Sequence, residues 1–281
     1  GVGEGAREGS ASGGDTATVG SRALAANTTG DENTASGYQA LFYNTTGYEN
    51  TAVGYTALYS NTTGHYNTAL GNGALISNNT GDENTASGWR ALYRNTSGEY
   101  NNALGSRALY NNTTGFKNTA MGTQALYSNT TGNNNTASGL SALHSNTTGE
   151  NNTAMGYSAG YNNQTGSENV FIGYKAGFNE TGSNKLYIAN DDGDGDRLIY
   201  GDFSTGNMTI GNGSGTIDFS AGTVNTEEMR IGGERAVTTS YVDGAVSYIE
   251  SIVGVSSETS TWAETSKTLL ANQGSNDDSS S

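Results

Sequence analysis

The residues most able to do chemistry in this chain are its carboxylates. Glu32, Glu49 and Glu83 are separated by multiples of seventeen residues, so a fold with that period would stack them in one column. Carboxylate pairs flanking a sugar hydrolyse glycosidic bonds, as in polysaccharide depolymerases. A column of like charges at a turn equally reads as a solvated, aggregation-resistant edge. Asp192, Asp194 and Asp196 alternate as the first ligands of a calcium loop do, yet Arg197 stands where glycine should follow and no glutamate occupies the twelfth position. They read as an acidic turn, and no metal is expected. Gly1-Val2-Gly3-Glu4-Gly5-Ala6 matches a dinucleotide loop by letter, but no apolar strand precedes it. The two histidines, His65 and His144, bring no cysteine or fixed acid with them, so the nucleophile, base and orienting group of a catalytic constellation are not assembled. The chain is expected to be no enzyme and to hold no cofactor. Rings offer a different chemistry. Tyr38, Tyr55, Trp89, Tyr157 and Tyr174 share one column and could stack on sugar faces, or on one another to clamp neighbouring units.

The glutamates, the histidines and most of the rings fall within a repeat of seventeen that runs from Thr16 to Ile172 without slippage. From Asn50 the unit reads Asn-Thr-Ala-Val-Gly-Tyr-Thr-Ala-Leu-Tyr-Ser-Asn-Thr-Thr-Gly-His-Tyr. Constant spacing of this kind marks a solenoid, in which each unit buries its apolar face on the next. The fifth residue is glycine throughout, as at Gly54, and the eighth is alanine, as at Ala57. The spacing predicts a sharp bend followed by a buried site with room for one methyl group. Leu58 stands in a column that is leucine from Leu24 to Leu143, and Tyr59 in one that is mostly aromatic. Segments such as Thr51-Ala52-Val53 and Ala57-Leu58-Tyr59 predict two strands per unit. Between them Asn-Thr-Thr-Gly predicts a turn, with asparagine bonding its own backbone and glycine at positive φ. Aligned Asn and Thr would bond along the stack. The expected fold is all-β: a parallel β-solenoid, or β-roll, of about ten coils, on the order of 50 Å long at about 4.8 Å per coil.

Composition adds a constraint. Only 33% of the residues are hydrophobic, 42 are glycine, and the net charge is -15. Without periodicity these values would indicate disorder. Proline is absent, as a backbone that spends its N-H groups on inter-coil bonds requires. A core of methyl groups buries little area at about 25 cal/mol per Å², against about 1 to 2 kcal/mol per residue for backbone ordering. Three copies about a common axis would cover a second face, so a homotrimer is expected. The acidic balance excludes nucleic acid and anionic membrane surfaces as partners. No apolar run is long enough to insert in a membrane. No signal peptide opens the chain, and Gly1 already sits in the repeat register, so a longer parent polypeptide is expected.

The repeat region is taken as residues 1–182. A β-rich transition or capping region follows over 183–235, where apolar content rises at Leu186-Tyr187-Ile188 and Leu198-Ile199-Tyr200. Residues 236–281 are read as a short helical trimerisation segment with a frayed tail. Val242, Ala245, Ile249 and Ile252 step by three, four and three, the spacing of a coiled-coil seam.

The Asn-Thr-Ala-x-Gly and Thr-Gly-x-x-Asn-Thr-Ala strings resemble the repeats of trimeric autotransporter adhesin heads, and more closely those of phage tail fibres. Asn169-Val-Phe-Ile-Gly-Tyr-Lys-Ala-Gly, Lys185-Leu-Tyr-Ile-Ala-Asn and Leu198-Ile-Tyr-Gly-Asp-Phe-Ser-Thr-Gly resemble the segments that end such regions. The resemblance implies a structural fibre on a virion tail or head, with other virion proteins at its ends and a host-surface glycan as target. The alternative it implies is a trimeric adhesin on a bacterial surface. Threonine pairs such as Thr45-Thr46 and Thr62-Thr63 would suit an ice-binding array, but Asn79 and Ser97 interrupt the columns. Sequons at Asn27, Asn44, Asn61, Asn129 and Asn146 fall in one column, where ladder bonding accounts for them without a sugar.

Overall fold

The fold comes from a computed structural model that describes residues 16–190, 197–210, 229–231, 234–238 and 249–251. Two units are present, Gly1–Ile217 and Asp218–Ser281. In the first, ten three-residue strands lie parallel and in register. They are β1 (Ala17–Val19), β2 (Thr34–Ser36), β3 (Thr51–Val53), β4 (Thr68–Leu70), β5 (Thr85–Ser87), β6 (Asn102–Leu104), β7 (Thr119–Met121), β8 (Thr136–Ser138), β9 (Thr153–Met155) and β10 (Val170–Ile172). Each residue pairs with its counterpart one repeat on, as Ala52 does with Ala69. The strands pair in sequence order through a single sheet. The expected parallel β-solenoid of about ten coils is therefore observed.

Each coil holds one strand and not two. At Thr56 and Leu58 φ is +53° and +50°, far from the strand region, and these values recur at the seventh and ninth positions of the other coils. Ala57 and Leu58 are adjacent and both wholly buried, whereas neighbours on an extended strand face opposite sides. The left-handed turn residues let both side chains point inward. Backbone bonds still link this segment to its neighbours: the Leu58 N-H donates to Ala74 C=O at 3.0 Å and the Thr56 N-H to Tyr38 C=O at 2.9 Å. Such ladder bonds hold residues whose conformation costs about 1 kcal/mol or more each.

The core consists of three apolar columns and two polar ones. Alanine at the third and eighth positions and leucine at the ninth are at most 1% exposed from Leu24 to Leu143. Asparagine at the first and twelfth positions is equally buried. Asn61 Nδ2 donates to Asn44 Oδ1 at 2.8 Å and to Gly64 C=O at 2.9 Å, and Asn78 repeats the pattern one coil on. A second ladder runs through Asn50, Asn67 and Asn84. The turn glycine does not carry the expected positive φ. It is required because a Cβ at Gly47 would lie 2.4 Å from Gly64 O and 2.5 Å from Asn44 Oδ1, closer than any side chain tolerates.

At the last two coils the ninth column changes to Gly160 and Gly177, while the third becomes Phe171. The Phe171 ring fills the room of both missing leucines: a Cβ at Gly160 would meet the ring at 2.5 Å, and one at Gly177 would overlap it. Phe171→Ala should therefore cost about 3 to 5 kcal/mol through the cavity left behind. Adding Gly160→Leu and Gly177→Leu should restore most of the loss in a urea melt. A triple variant no better than the single one would refute this exchange of volume.

β11 (Lys185–Ala189) pairs parallel with β10 at a spacing of sixteen, Phe171 opposite Tyr187. β12 (Arg197–Asp202) and β13 (Asn207–Ile210) then add antiparallel, which ends the solenoid on a hairpin-like edge. Lys185 Nζ and Asp202 Oδ2, 2.6 Å apart, tie β11 to β12, and this pair with the Ser204 hydrogen bonds holds the Asp202 carboxyl at about 2. In the second unit β14 (Met229–Ile231), β15 (Glu234–Thr238) and β16 (Ile249–Ser251) form an antiparallel sheet. Ile249, expected on a helical seam, thus lies in a strand opposite Thr238. A seam of under two heptads is too short to impose a helix, and β-branched Ile249 is suited to a strand. Val242, Ala245 and Ile252 lie outside the described residues.

Candidate functional site

Three surface columns could meet a partner. The first is the sixth position, which carries the candidate binding rings. Tyr38 stacks on Tyr55 and Tyr157 on Tyr174, each with centroids 5.3 Å apart and planes 13° from parallel. Each of these tyrosines spends one aromatic face on its neighbour. Trp89 has no ring beside it, because Asn72 and Ser106 occupy its column in the adjoining coils. The guanidinium carbons of Arg90 and Arg107 lie 4.8 and 4.5 Å from the indole centroid instead.

The tenth position forms the longest ladder. Tyr93, Tyr110, Tyr127, His144, Tyr161 and Phe178 stack at 4.7 to 5.2 Å. Burial in this ladder pushes the His144 imidazole below its ordinary value of 6.5, and its Nδ1 has no hydrogen-bond partner. A group whose folded pKa is depressed binds fewer protons folded than unfolded. Its contribution is therefore complete above about 6.5 and is lost as pH falls below that value. The thermal midpoint should drop between pH 7 and pH 5, and His144→Tyr, the residue of the neighbouring coils, should flatten part of that slope. Equal slopes in the two proteins would refute the assignment.

The carboxylates Glu32, Glu49 and Glu83 stand exposed at the seventeenth position, each at a φ of 53° or 54°. Tyr66 separates Glu49 from Glu83 in the column. Its hydroxyl is pushed up to about 12, first by hydrogen bonding with Tyr48 and then by the Glu49 charge. The Glu83 side chain likewise raises Tyr100 through a hydrogen bond. The opening beside Tyr66 and Glu83 is broad and shallow. The arrangement offers carboxylates solvent and phenol hydroxyls. Next to it His65 stacks on Tyr48 at 4.4 Å and approaches Asp82 Oδ2 at 3.5 Å. Asp192, Asp194 and Asp196 lie outside the described residues.

Two other sequence candidates resolve into scaffold. The sequon asparagines Asn27, Asn44, Asn61, Asn129 and Asn146 are buried, with Nδ2 committed within the ladder. Thr45 and Thr130 spend their hydroxyls on the carbonyls of the next coil.

Two features escaped the sequence reading. Because the middle residue of the strands, alanine from β2 to β9, faces inward, the fourth position faces out, and it forms an apolar row: Val19, Val53, Leu70, Leu104, Met121, Met155 and Ile172 are 38% to 59% exposed. Ser36, Ser87 and Ser138 interrupt it. The strand alternation and residue types were both present in the sequence, and reading them together reveals the row. The other feature is the group of arginines around Trp89, which stand out once the sister coils are aligned. Comparison with protein-family models, curated proteins and solved structures gives no match to this chain.

Proposed function

We propose that the chain forms the shaft of a homotrimeric fibre, of the kind that projects from a phage tail or head, and that it serves attachment to a host surface. The observation that carries this reading is the apolar row on the outer face of β1 to β10. Monomeric proteins rarely expose large contiguous apolar patches, and this row is apolar in seven of the ten coils. Three narrow rows meeting at a three-fold axis close a seam and leave none facing water, as cyclic symmetry allows. Such a seam also supplies the apolar burial that a core rich in alanine and asparagine lacks. Mechanically, a rod of ten coils on the order of 50 Å long gives reach. Three identical sides multiply weak contacts by effective concentration.

Sedimentation tests this directly. At micromolar concentration the expected mass is three times the 28.9 kDa of the chain. Leu104→Glu with Met121→Glu places charges in the seam, where desolvation is costly, and should shift the species to monomer. A wild-type monomer, or a trimer indifferent to both substitutions, would overturn the reading.

A further inference from the structure

We propose that Arg90 and Arg107, which flank Trp89, and Arg94, over Tyr110, form on the fifth and sixth coils a binding site for an anionic polysaccharide and hold the carboxylate or phosphate groups of its sugars. The first argument is scarcity. The chain carries 12 Lys and Arg against 27 Asp and Glu, yet three arginines fall between residues 90 and 107. Among the described residues none of these three guanidiniums has a carboxylate or hydrogen-bond partner, whereas Lys185 meets Asp202 and His65 meets Asp82. In so acidic a chain, three unpaired arginines together mark a local reversal of charge.

The coil itself does not need them. Arg90 and Arg107 occupy the seventh position at φ values of 55° and 56°, where Gln39, Thr56 and Gln124 serve elsewhere with the same backbone. Arg94 occupies the eleventh position, which is Ser60, Ser77, Ser128 and Ser145 in other coils. A left-handed φ gives no preference for arginine, so the side chains are accounted for by what they present outward.

Their placement is also organised. Arg90 lies over Trp89 at 4.8 Å and over Tyr93 at 5.1 Å, Arg107 over Trp89 at 4.5 Å, and Arg94 over Tyr110 at 5.8 Å. Contact with the rings restricts each stem while leaving the N-H fork free for bidentate pairing with a carboxylate or phosphate. Gly73 precedes Arg90 in its column, and a Cβ there would touch Arg90 Cγ and the Tyr93 ring at 3.5 Å; its absence leaves that side uncovered. Exposed Asn72 adds an amide for sugar hydroxyls. A compact patch on a chain of net charge -15 favours charged sugars over nucleic acid, which needs many cations along its backbone.

The test measures calorimetric binding of the full chain to polygalacturonate, to poly(glycerol phosphate), to neutral dextran and to single-stranded DNA. At least one of the first two should bind, and the better of them identifies the group recognised; dextran and DNA should not. Binding should weaken as salt is raised. Arg90→Gln, Arg94→Ser and Arg107→Gln, each a residue used by a sister coil, should together lower affinity about 1,000-fold, since each charge-assisted pair is worth about ten-fold or somewhat more. Binding no tighter than to dextran, insensitivity to salt, or DNA bound as tightly would overturn the site. So would a folded triple variant with undiminished affinity or with altered sedimentation, the latter placing the arginines between copies. The site deepens the attachment reading, and the two fail separately: a monomer that binds charged sugars removes the fibre, whereas a trimer that ignores them removes the site.

Discussion

Asn84→Ala should cost about 3 to 6 kcal/mol, as much as a large cavity in a conventional core, although it deletes only a polar group. Asn84 Nδ2 donates to Gly98 C=O at 2.8 Å and to Asn67 Oδ1 at 3.1 Å, and its Oδ1 accepts the backbone N-H of Asn101 at 3.0 Å and Asn101 Nδ2 at 3.1 Å. Removing the amide strands the Asn101 N-H inside the coil, leaves the Gly98 carbonyl with the Asn95 amide alone, and leaves Asn101 Nδ2 with one partner in place of two. Each of the three bonds lost from groups that keep another partner costs about 0.5 to 1.5 kcal/mol. Each buried polar group left unsatisfied costs about 1 to 3 kcal/mol. Asn84→Asp keeps the acceptors, but it removes the donor and buries a charge, so it should fare no better. Urea denaturation gives the magnitude, and amide exchange gives the location: protection should fall first in the coils on either side of residue 84. Loss of under about 1 kcal/mol would show that the ladder is incidental to stability.

This dependence answers the problem posed by composition. Buried methylenes are worth about 0.8 kcal/mol each, and alanine offers few. The amide columns add a directional bond to every coil and fix its register, because Asn61 bonds both to its own turn and to the coil before. The expectation of aligned Asn ladders was legible from the repeat alone. So were the buried methyl columns at Ala52 and Ala57, since only the smallest side chains recur there.

Other features were not legible, for physical reasons. Ala57-Leu58-Tyr59 has the residue types of a strand, and nothing in the letters announces that Leu58 adopts φ +50°. That conformation is imposed by backbone bonds from Leu58 to Ala74 and from Thr56 to Tyr38, contacts between residues sixteen and eighteen apart. The exchange of two leucines for Phe171 is likewise invisible to column statistics, because the volume lost in one column is restored in another. At the sequence level Tyr38, Tyr55 and Trp89 were equal candidates for a sugar platform. Geometry separates them: the tyrosines share a face with each other, while the lone indole is met by two arginines.

Gly71→Ala should be severely destabilising, and Gly73→Ala, two residues away, should be nearly silent. At Gly71 φ is +136°, and an added Cβ would lie 2.6 Å from Gly88 O and 2.9 Å from Gly88 C. That region of φ is accessible essentially to glycine alone, and the obstacle is backbone, so no rotamer relieves it. Relief requires the fourth and fifth coils to separate, at the expense of the bonds from Gly88 N-H to Leu70 C=O at 2.8 Å and from Arg90 N-H to Asn72 C=O at 3.0 Å. The combined loss should exceed about 4 kcal/mol. Because coils contact only their neighbours, limited proteolysis should cut near residues 71–90 while flanking coils resist. At Gly73 φ is +67° and the nearest atoms are 3.5 Å away, the flexible Arg90 stem and the Tyr93 ring. Other coils place Thr56 or Gln39 at this position with φ near the same value, so alanine should cost about 1 kcal/mol or less. Similar midpoints for the two variants would mean that the close approach of stacked glycine backbones does not determine coil spacing, and the in-register solenoid would have to be abandoned with it.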